Sequence, residues 1–192
     1  MALNKAILSS LTRRFEPTEY LRCTPWAHRA TPLGMGYGKT RFASPTDRFK
    51  LLYIAVDLST ALVETIVRDR FEGVIQRELD INDIRPWGVC EVDAIAPLRV
   101  VDLRRDGCFK LGISTDVTGA KAQVESRVFS QELFDTTDLD GILYHSRLRK
   151  RNCVAVYDRA VAVLLKAGPV VQIETLGQLV PALRVLKIKL NR

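Results

Sequence analysis

Two side chains that could take part in chemistry lie close together in the sequence, Tyr53 and Glu64. Both belong to the stretch FKLLYIAVDLSTALVETIVR, which covers residues 49–68. Its first half, from Lys50 to Val56, is a short apolar run with β-branched and aromatic residues, which predicts a buried strand carrying Tyr53. A carboxylate such as Glu64, if it is ionised and held on a rigid element, is suited to stabilising a positive charge.

The second half of the stretch predicts the helix that positions Glu64. Oxygen atoms able to cap a helix N-terminus are supplied by Asp57, Ser59 and Thr60. Apolar residues then recur at helical spacing, namely Leu62, Val63, Ile66 and Val67. Because a helix N-terminus carries a partial positive charge, we expect it to help keep Glu64 ionised. The alternative interpretation makes Tyr53 a core aromatic residue and Glu64 a solvated surface acid.

A long irregular connection precedes this strand, from Thr24 to Asp47. Proline residues interrupt regular structure there, and three glycines alternate in GMGYG at residues 34–38. Loops of this length inside a compact domain are more often functional than idle. The basic residues in and beside the connection are Arg22, His28, Arg29, Lys39 and Arg41. Since glycines let a ligand approach the backbone, the segment is a candidate anion-binding loop, with a flexible surface loop as the alternative.

The remaining pattern predicts a mixed fold. We expect a helix at residues 3–13 and strands at 19–23, 87–95, 98–103, 141–145 and 153–157. A loop is predicted at 112–119, and a helix at 121–136 with Val124, Val128, Leu133 and Phe134 on its apolar side and Ser126 and Ser130 on its polar side. After residue 170, strand-like runs flank a helical turn that Pro181 breaks. Together these elements predict one α+β domain over residues 1–192, with short mixed strands and flanking helices.

Length and charge exclude several classes of protein. The 192 residues suffice for one domain with a substantial core, and no apolar run approaches the roughly 20 residues that span a bilayer. The net charge is +7, and the segment from residue 147 onward supplies this surplus. Such a bias suits an anionic ligand, a nucleic acid or an acidic partner. The dense basic cluster at 147–151 is interpreted as a solvated turn. We predict a soluble, cytoplasmic protein.

The cysteines and histidines argue against a metal site. The four cysteines, Cys23, Cys90, Cys108 and Cys153, form no CxxC pair, and the two histidines, His28 and His145, lie far apart. We therefore predict no metal and no disulfide framework. The cysteines are interpreted as small buried hydrophobic residues.

Four segments resemble the RES domain, a family named for arginine, glutamate and serine. They are RCT from Arg22, KTRFASP at residues 39–45, LYIAVDLSTALVE at residues 52–64 and DGILYHSR at residues 140–147. The likeness runs from about Thr18 to Leu165. Members of the family are toxins of bacterial toxin–antitoxin pairs whose antitoxin is of the Xre type. The resemblance implies a fold related to ADP-ribosylating toxins and an activity that degrades NAD, by phosphorolysis or by transfer of ADP-ribose.

The resemblance also implies the residues of the site. It makes Arg41, Tyr53 and Glu64 catalytic residues and Arg22 a substrate-binding residue. Family members usually carry Gly-Gly-Arg-Trp-Asn where this chain has KTRFA at residues 39–43, so the arginine is kept and both glycines and the tryptophan are not.

The serine of the family has more than one candidate. Ser146 follows the strand predicted at 141–145, whereas Ser126 and Ser130 lie in the preceding helix. We favour Ser146 as the catalytic serine, and then Ser126 as a substrate-binding residue.

These residue types suit the chemistry that the resemblance implies. Breaking the bond between nicotinamide and ribose develops positive charge on the ribose, which Glu64 would stabilise more in the transition state than in the ground state. Arg22 and Arg41 would clamp the diphosphate of NAD through their planar forks. Tyr53 would stack on or pack beneath the nicotinamide ring. If inorganic phosphate is the nucleophile, one of these arginines and a serine would hold it. NAD and phosphate are substrates, and no metal or bound cofactor is required.

A toxin that degrades NAD by phosphorolysis is the function we favour, and two other classes stay open. An ADP-ribosyltransferase acting on a macromolecule would use the same arginine, tyrosine and glutamate. A non-enzymatic basic domain that binds nucleic acid has the positive surplus as its support. The resemblance implies an Xre-type helix-turn-helix antitoxin as partner, covering the mouth of the site. For this chain itself we expect no membrane and no direct nucleic-acid contact.

Overall fold

A computed structural model of the protein describes residues 3–191. Arg192 and the first two residues of the predicted 1–192 domain lie outside this range. The strands are β1 (Thr12–Phe15), β2 (Tyr20–Pro25), β3 (Leu51–Ala55), β4 (Arg77–Asp80), β5 (Trp87–Ala94), β6 (Leu98–Asp102), β7 (Gly141–His145), β8 (Asn152–Tyr157), β9 (Leu165–Ala167), β10 (Val171–Gln172) and β11 (Ile188–Asn191). The helices are α1 (Lys5–Leu11), α2 (Leu58–Leu62), α3 (Ile81–Ile84), α4 (Gly107–Leu111), α5 (Asp116–Gly119), α6 (Val124–Thr136), α7 (Asp158–Leu164) and α8 (Leu179–Val185). Short 3-10 turns occur at Trp26–His28 and Ile173–Thr175.

One large sheet organises the molecule. Its strand order is β1-β6-β7-β8-β3-β2-β5-β10, and β9 also pairs with β5. The pair β6–β7 is parallel, and the other pairs of this sheet are antiparallel. Strands β4 and β11 form a separate parallel pair. Apolar residues of the helices and strands pack together in three buried clusters. The predicted α+β fold, with short strands of mixed direction and flanking helices, is confirmed.

The sheet is nearly open at one junction. Strands β2 and β3 are neighbours, but they share a single residue pair, Leu21 with Ala55. By contrast, β2 pairs with β5 from Tyr20 to Pro25, and β3 pairs with β8 along its whole length. Beyond Leu21 and Ala55, the facing edges of β2 and β3 therefore carry backbone groups that are not bonded to each other. Such groups need other partners, from loops, water or a ligand.

The strand–turn–helix unit predicted at residues 49–68 is confirmed, but its helix is not uniform. Asp57 caps α2 by accepting a hydrogen bond from the Thr60 backbone N–H at 2.8 Å. The chain then widens into a π-helix at Val63–Val67, closed by a bond of 2.8 Å from the Arg68 N–H to the Val63 carbonyl. Short π-helical segments occur frequently at functional sites.

The face that α6 buries differs from the prediction. Val124 and Val128 are 71% and 52% exposed, whereas Ser126 and Ser130 are fully buried. The prediction that these serines lie on the polar side is therefore wrong. The buried stripe combines the two serines with Phe129 and Leu133, at the spacing of one helix face. Ser130 is buried with a partner for its hydroxyl, the Tyr157 hydroxyl at 3.0 Å, so residue polarity alone predicts the wrong side.

Other differences concern element boundaries. Helix α5 lies inside the loop predicted at 112–119, and α1 is shorter than the predicted helix, so that Arg13 belongs to β1. Pro181 lies in the first turn of α8 rather than breaking it. A proline is tolerated there because backbone N–H groups of the first turn have no partner within the helix.

The cysteines are free thiols, and three of them, Cys90, Cys108 and Cys153, are buried as predicted. Cys23 is half-buried. Among residues 3–191, no helix is both long and apolar enough to cross a membrane.

Replacing Gly141 tests how tightly β7 and β8 are packed. A Cβ atom at this position would lie 2.3 Å from the Ala155 carbonyl oxygen and 3.1 Å from the Val156 Cα. Both obstacles are backbone atoms that cannot rotate away, so we expect Gly141→Ala to lower the free energy of unfolding by roughly 1–3 kcal/mol, measured in urea. Gly38→Ala is the matched control, because a Cβ there would meet nothing within 4 Å. Equal losses in the two variants would contradict this account.

Candidate active site

The open junction between β2 and β3 forms one wall of a cleft. The cavity between the walls has a volume of about 250 Å³, slightly below the roughly 300–1,000 Å³ of typical ligand pockets. Four residues predicted from the sequence line this cleft, namely Arg22, Arg41, Tyr53 and Glu64. They come from β2, the long loop, β3 and the π-helix.

Glu64 is held in place by a buried serine. The Ser146 hydroxyl donates a hydrogen bond of 2.5 Å to Glu64 Oε1 and accepts one of 3.1 Å from the Arg149 N–H. Ser146 is fully buried and lies behind Glu64 rather than lining the cleft. The sequence predicts that the N-terminus of the helix acts on Glu64, but Glu64 lies beyond the first turn of α2, where that effect fades. The contact with Ser146 orients the carboxylate instead.

Ion pairs connect the basic turn at residues 146–151 to the helical segment that carries Glu64. Arg147 forms an ion pair with Asp69, and the Arg151 Nε lies 3.2 Å from Asp57 Oδ2. Burial alone would raise the pKa of Asp57, but hydrogen bonds from Thr60 and the nearby arginines lower it overall. The segment is a turn in which Lys150 and Arg151 are exposed, as predicted, but Arg147 and Arg151 also form ion pairs that the prediction did not include. Its charges connect to both ends of the segment that carries Glu64.

Arg41 is fixed by the chain that precedes α6. Its terminal nitrogens donate hydrogen bonds to the carbonyls of Val117, at 3.3 Å, and Ala120, at 2.6 Å. Burial lowers the pKa of Arg41, and Tyr144 and Glu64 act against this shift. The next residue, Phe42, has a positive φ of 67° and is fully buried. Its ring meets that of Tyr144 edge to face at 5.1 Å, so this buried aromatic side chain anchors the loop.

Tyr53 connects β3 to the same loop. Its hydroxyl donates a hydrogen bond to the Arg41 carbonyl and lies 3.0 Å from the Thr40 hydroxyl. Burial raises the pKa of Tyr53 above its ordinary value. The phenol therefore remains protonated at neutral pH, so it can donate a hydrogen bond but cannot serve as a base.

Arg22 lies on the opposite side of the junction. One terminal nitrogen donates a hydrogen bond of 2.6 Å to the Gly34 carbonyl, and burial lowers the pKa of its guanidinium. The glycines at 34–38 do not line the cleft, nor do His28, Arg29 and Lys39. Among the basic residues of the predicted anion-binding loop, the structure therefore brings Arg22 and Arg41 to the cleft and leaves the others outside it.

Ser126, the second serine candidate, does not line the cleft. It is fully buried in α6, and within residues 3–191 its hydroxyl has no hydrogen-bond partner. Ser130, one turn further, lies 3.0 Å from the Tyr157 hydroxyl. Ser126 is therefore separated from the residues that converge on Glu64.

Several polar residues of the cleft were not predicted. They are Thr40, Thr65, Arg68, Asp69, Gln123 and Arg147. A signal was present for Arg68, which follows Glu64 by four residues, the spacing of one helix face. Among residues 3–191, no three His, Cys, Asp or Glu side chains converge in a way that could hold a metal ion.

Comparison with known proteins agrees with this architecture. The RES domain family matches residues 11–176. The chain is 31% identical over 87 residues to "Probable toxin y4kH" of Sinorhizobium fredii (strain NBRC 101917 / NGR234), which covers 45% of this chain and 68% of that protein. It also resembles a chain in the crystal structure of the M. tuberculosis MbcT–MbcA toxin–antitoxin complex, with a TM-score of 0.64 and 16% identity over 88% of this chain and 93% of that one.

The two buried serines of α6 differ in their hydrogen bonding, and the stability of their alanine variants tests this difference. Ser126→Ala removes a hydroxyl that has no partner, so we expect the free energy of unfolding to stay the same or to rise by up to about 1 kcal/mol. Ser130→Ala removes the contact with Tyr157 and should lower it by about 1 kcal/mol. Urea denaturation of both variants measures the difference. Should Ser126→Ala lose as much stability as Ser130→Ala, the Ser126 hydroxyl has a bonding partner in solution.

Proposed function

The chain belongs to the RES domain family, and from this premise we propose that it is a toxin of a toxin–antitoxin pair that degrades NAD by cleaving the bond between nicotinamide and ribose. The observation that carries the proposal is the convergence of Glu64, Tyr53, Arg41 and Arg22 on one cleft at the open junction of the sheet. The likeness to a probable toxin of Sinorhizobium fredii and to a chain of a toxin–antitoxin complex supports the toxin part of the proposal.

Glu64 is proposed to stabilise the transition state of bond cleavage. As the bond breaks, its electron pair moves to the nicotinamide nitrogen, and positive charge develops on the ribose carbon. A carboxylate that is already oriented stabilises this charge without having to reorganise during the reaction. The hydrogen bond from Ser146 supplies the orientation. Ser146 thus acts through Glu64, as a positioning residue.

The two arginines are proposed to hold the diphosphate of NAD. A guanidinium group binds phosphate oxygens through a planar pair of N–H donors. Arg41 is pinned by two backbone carbonyls and Arg22 by one, so both side chains are ordered before a ligand arrives. Binding then loses little additional side-chain entropy. The ring of Tyr53 is left to pack against the nicotinamide, while its hydroxyl fixes the Arg41 backbone.

Phosphorolysis is the reaction we favour. An oxygen of inorganic phosphate forms a bond with the ribose carbon as nicotinamide leaves, giving ADP-ribose 1-phosphate and free nicotinamide. Water in place of phosphate would give hydrolysis, and a group on a macromolecule would give ADP-ribosyl transfer. The proposal requires NAD and phosphate as substrates and no metal or bound cofactor, and it places the reaction in the cytoplasm.

The partner we propose is an antitoxin. A chain of the M. tuberculosis MbcT–MbcA toxin–antitoxin complex has a similar fold. A protein that degrades NAD must be inhibited in its own cell. A partner that covers the cleft would inhibit it. We expect an Xre-type helix-turn-helix protein, so that any DNA binding by the complex would come from the partner.

The test is to follow NAD by NMR with the purified chain, with and without inorganic phosphate. We expect nicotinamide release that depends on phosphate, and Glu64→Gln should slow it by about 10²–10³-fold. Glu16→Gln is the matched control, because Glu16 is exposed and lies outside the cleft. Full NAD consumption by Glu64→Gln would overturn the assignment.

The same experiment separates the other classes. Phosphate-independent release of ADP-ribose would indicate hydrolysis. Transfer of label from NAD to a protein or nucleic acid would indicate an ADP-ribosyltransferase. No turnover, combined with tight and strongly salt-dependent binding of DNA or RNA, would indicate the basic nucleic-acid-binding domain.

Ser146→Ala tests the positioning role. The carboxylate would lose a charge-assisted hydrogen bond worth about 1.5–3 kcal/mol, so we expect kcat to fall by about 10- to 100-fold while KM for NAD changes little. Ser59→Ala is the control, because Ser59 donates a buried hydrogen bond to the Ala182 carbonyl from the same helix without contacting Glu64. Similar kinetic losses in both variants would point to general destabilisation instead.

A further inference from the structure

Four guanidinium groups line the cleft, those of Arg22, Arg41, Arg68 and Arg147. Three of them have terminal nitrogens bonded to the protein itself. Arg41 contacts two backbone carbonyls, Arg22 contacts one, and Arg147 is paired with Asp69. These groups are already oriented by the protein, and fewer of their N–H donors remain free to bind a ligand.

Arg68 differs from the other three. Its Nε donates a hydrogen bond of 3.0 Å to the Glu64 carbonyl, and within residues 3–191 neither terminal nitrogen has a hydrogen-bond or ion-pair partner. The side chain is exposed at the cleft. Arg68 is thus tied to the residue that carries the proposed catalytic carboxylate, while its pair of terminal N–H donors remains available.

The backbone of Arg68 gives a second, independent observation. This residue ends the π-helix with φ 42° and ψ −124°, a conformation that residues other than glycine rarely adopt. Such conformations cost free energy and cluster at ligand-binding and catalytic sites. A glycine here would avoid the strain, so the arginine side chain is a candidate for a functional role.

We propose that Arg68 binds a phosphate group beside Glu64, either inorganic phosphate or a phosphate of the dinucleotide. This inference rests on the proposed function, which it deepens by naming the residue that holds the anion. A phosphate that attacks the ribose must lie close to Glu64, and the two anions repel each other. A guanidinium fixed to the Glu64 backbone, with two free donors, offsets that repulsion at the required place.

The charge balance of the cleft favours a bound anion. Its lining contains four arginines against two acids, Glu64 and Asp69, and Asp69 is already paired with Arg147. The excess of positive charge therefore lies with Arg22, Arg41 and Arg68. Two of these arginines would hold the diphosphate of NAD. The third, Arg68, is the nearest in sequence to Glu64, and of the three it alone has both terminal nitrogens unoccupied within residues 3–191.

Isothermal titration calorimetry with two ligands tests this assignment. Glu64→Gln is the parent protein, so that NAD stays intact, and each variant is titrated with inorganic phosphate and separately with NAD. We expect Arg68→Gln to weaken binding of at least one of the two by about tenfold or more. If only the affinity for inorganic phosphate falls, Arg68 binds the phosphate that acts as nucleophile. If the affinity for NAD falls, Arg68 binds a phosphate of the dinucleotide. Arg14→Gln, which removes the same charge from an exposed position outside the cleft, is the control.

Two further variants protect the test against loss of fold. Arg68→Lys keeps the charge but not the fork of donors, so we expect partial loss of affinity. Arg68→Gly should bind as weakly as Arg68→Gln but melt at a higher temperature, because glycine adopts this conformation without strain. If Arg68→Gln and Arg68→Lys both bind phosphate and NAD as tightly as Arg14→Gln does, or if the parent binds neither ligand, the assignment is overturned.

Turnover of NAD by the wild-type chain is measured in parallel. A wild type that does not consume NAD contradicts the proposed function, while the titration with inorganic phosphate still decides whether Arg68 holds an anion. The two failures are therefore distinguishable.

Discussion

A carboxylate held by a buried hydroxyl is the contact on which the cleft depends. Glu64 lies on a short π-helix that by itself would leave a long side chain free to rotate, at a cost in entropy whenever it must be ordered. Ser146 removes that freedom from a turn between two central strands, 82 residues away in the sequence. The sheet thus orients the carboxylate that is proposed to stabilise the positive charge on the ribose.

The open junction of the sheet explains why the cleft is there at all. Strands β2 and β3 meet at one residue pair and are each well bonded on their other side, so the gap persists without weakening the sheet as a whole. The long loop then places Arg41 across the gap, and hydrogen bonds to Tyr53 and to the chain before α6 fix it there. The missing strand pairing provides the space of the cleft, and the loop contacts position the Arg41 side chain that lines it.

Local sequence patterns were sufficient to predict the fold class and most of the strands, because a buried strand is recognisable from its own apolar run. They also gave Tyr53, Glu64 and the two arginines that line the cleft, through a resemblance to known sequences. What they could not give depends on distant partners. Ser126 and Ser130 are polar residues that nevertheless face the core. The turn at residues 146–151 has the composition of a solvated turn, but it forms ion pairs with Asp57 and Asp69. The position of the Arg41 side chain depends on a hydrogen bond to Ala120, 79 residues away.

The concentration of positive charge in the cleft is itself a burden on stability. Burial lowers the pKa of Arg22 and Arg41, which records the free energy lost when a cation leaves water. Backbone carbonyls offset part of this loss for those two residues, and Asp69 does so for Arg147. A bound anion would relieve the remainder, because any ligand that binds the native state alone stabilises it by mass action. Compensation is least complete at Arg22, because its Nε is buried and has no hydrogen-bond partner within residues 3–191. A phosphorylated ligand that accepts hydrogen bonds from these buried arginines would therefore gain affinity from the same groups whose burial costs stability.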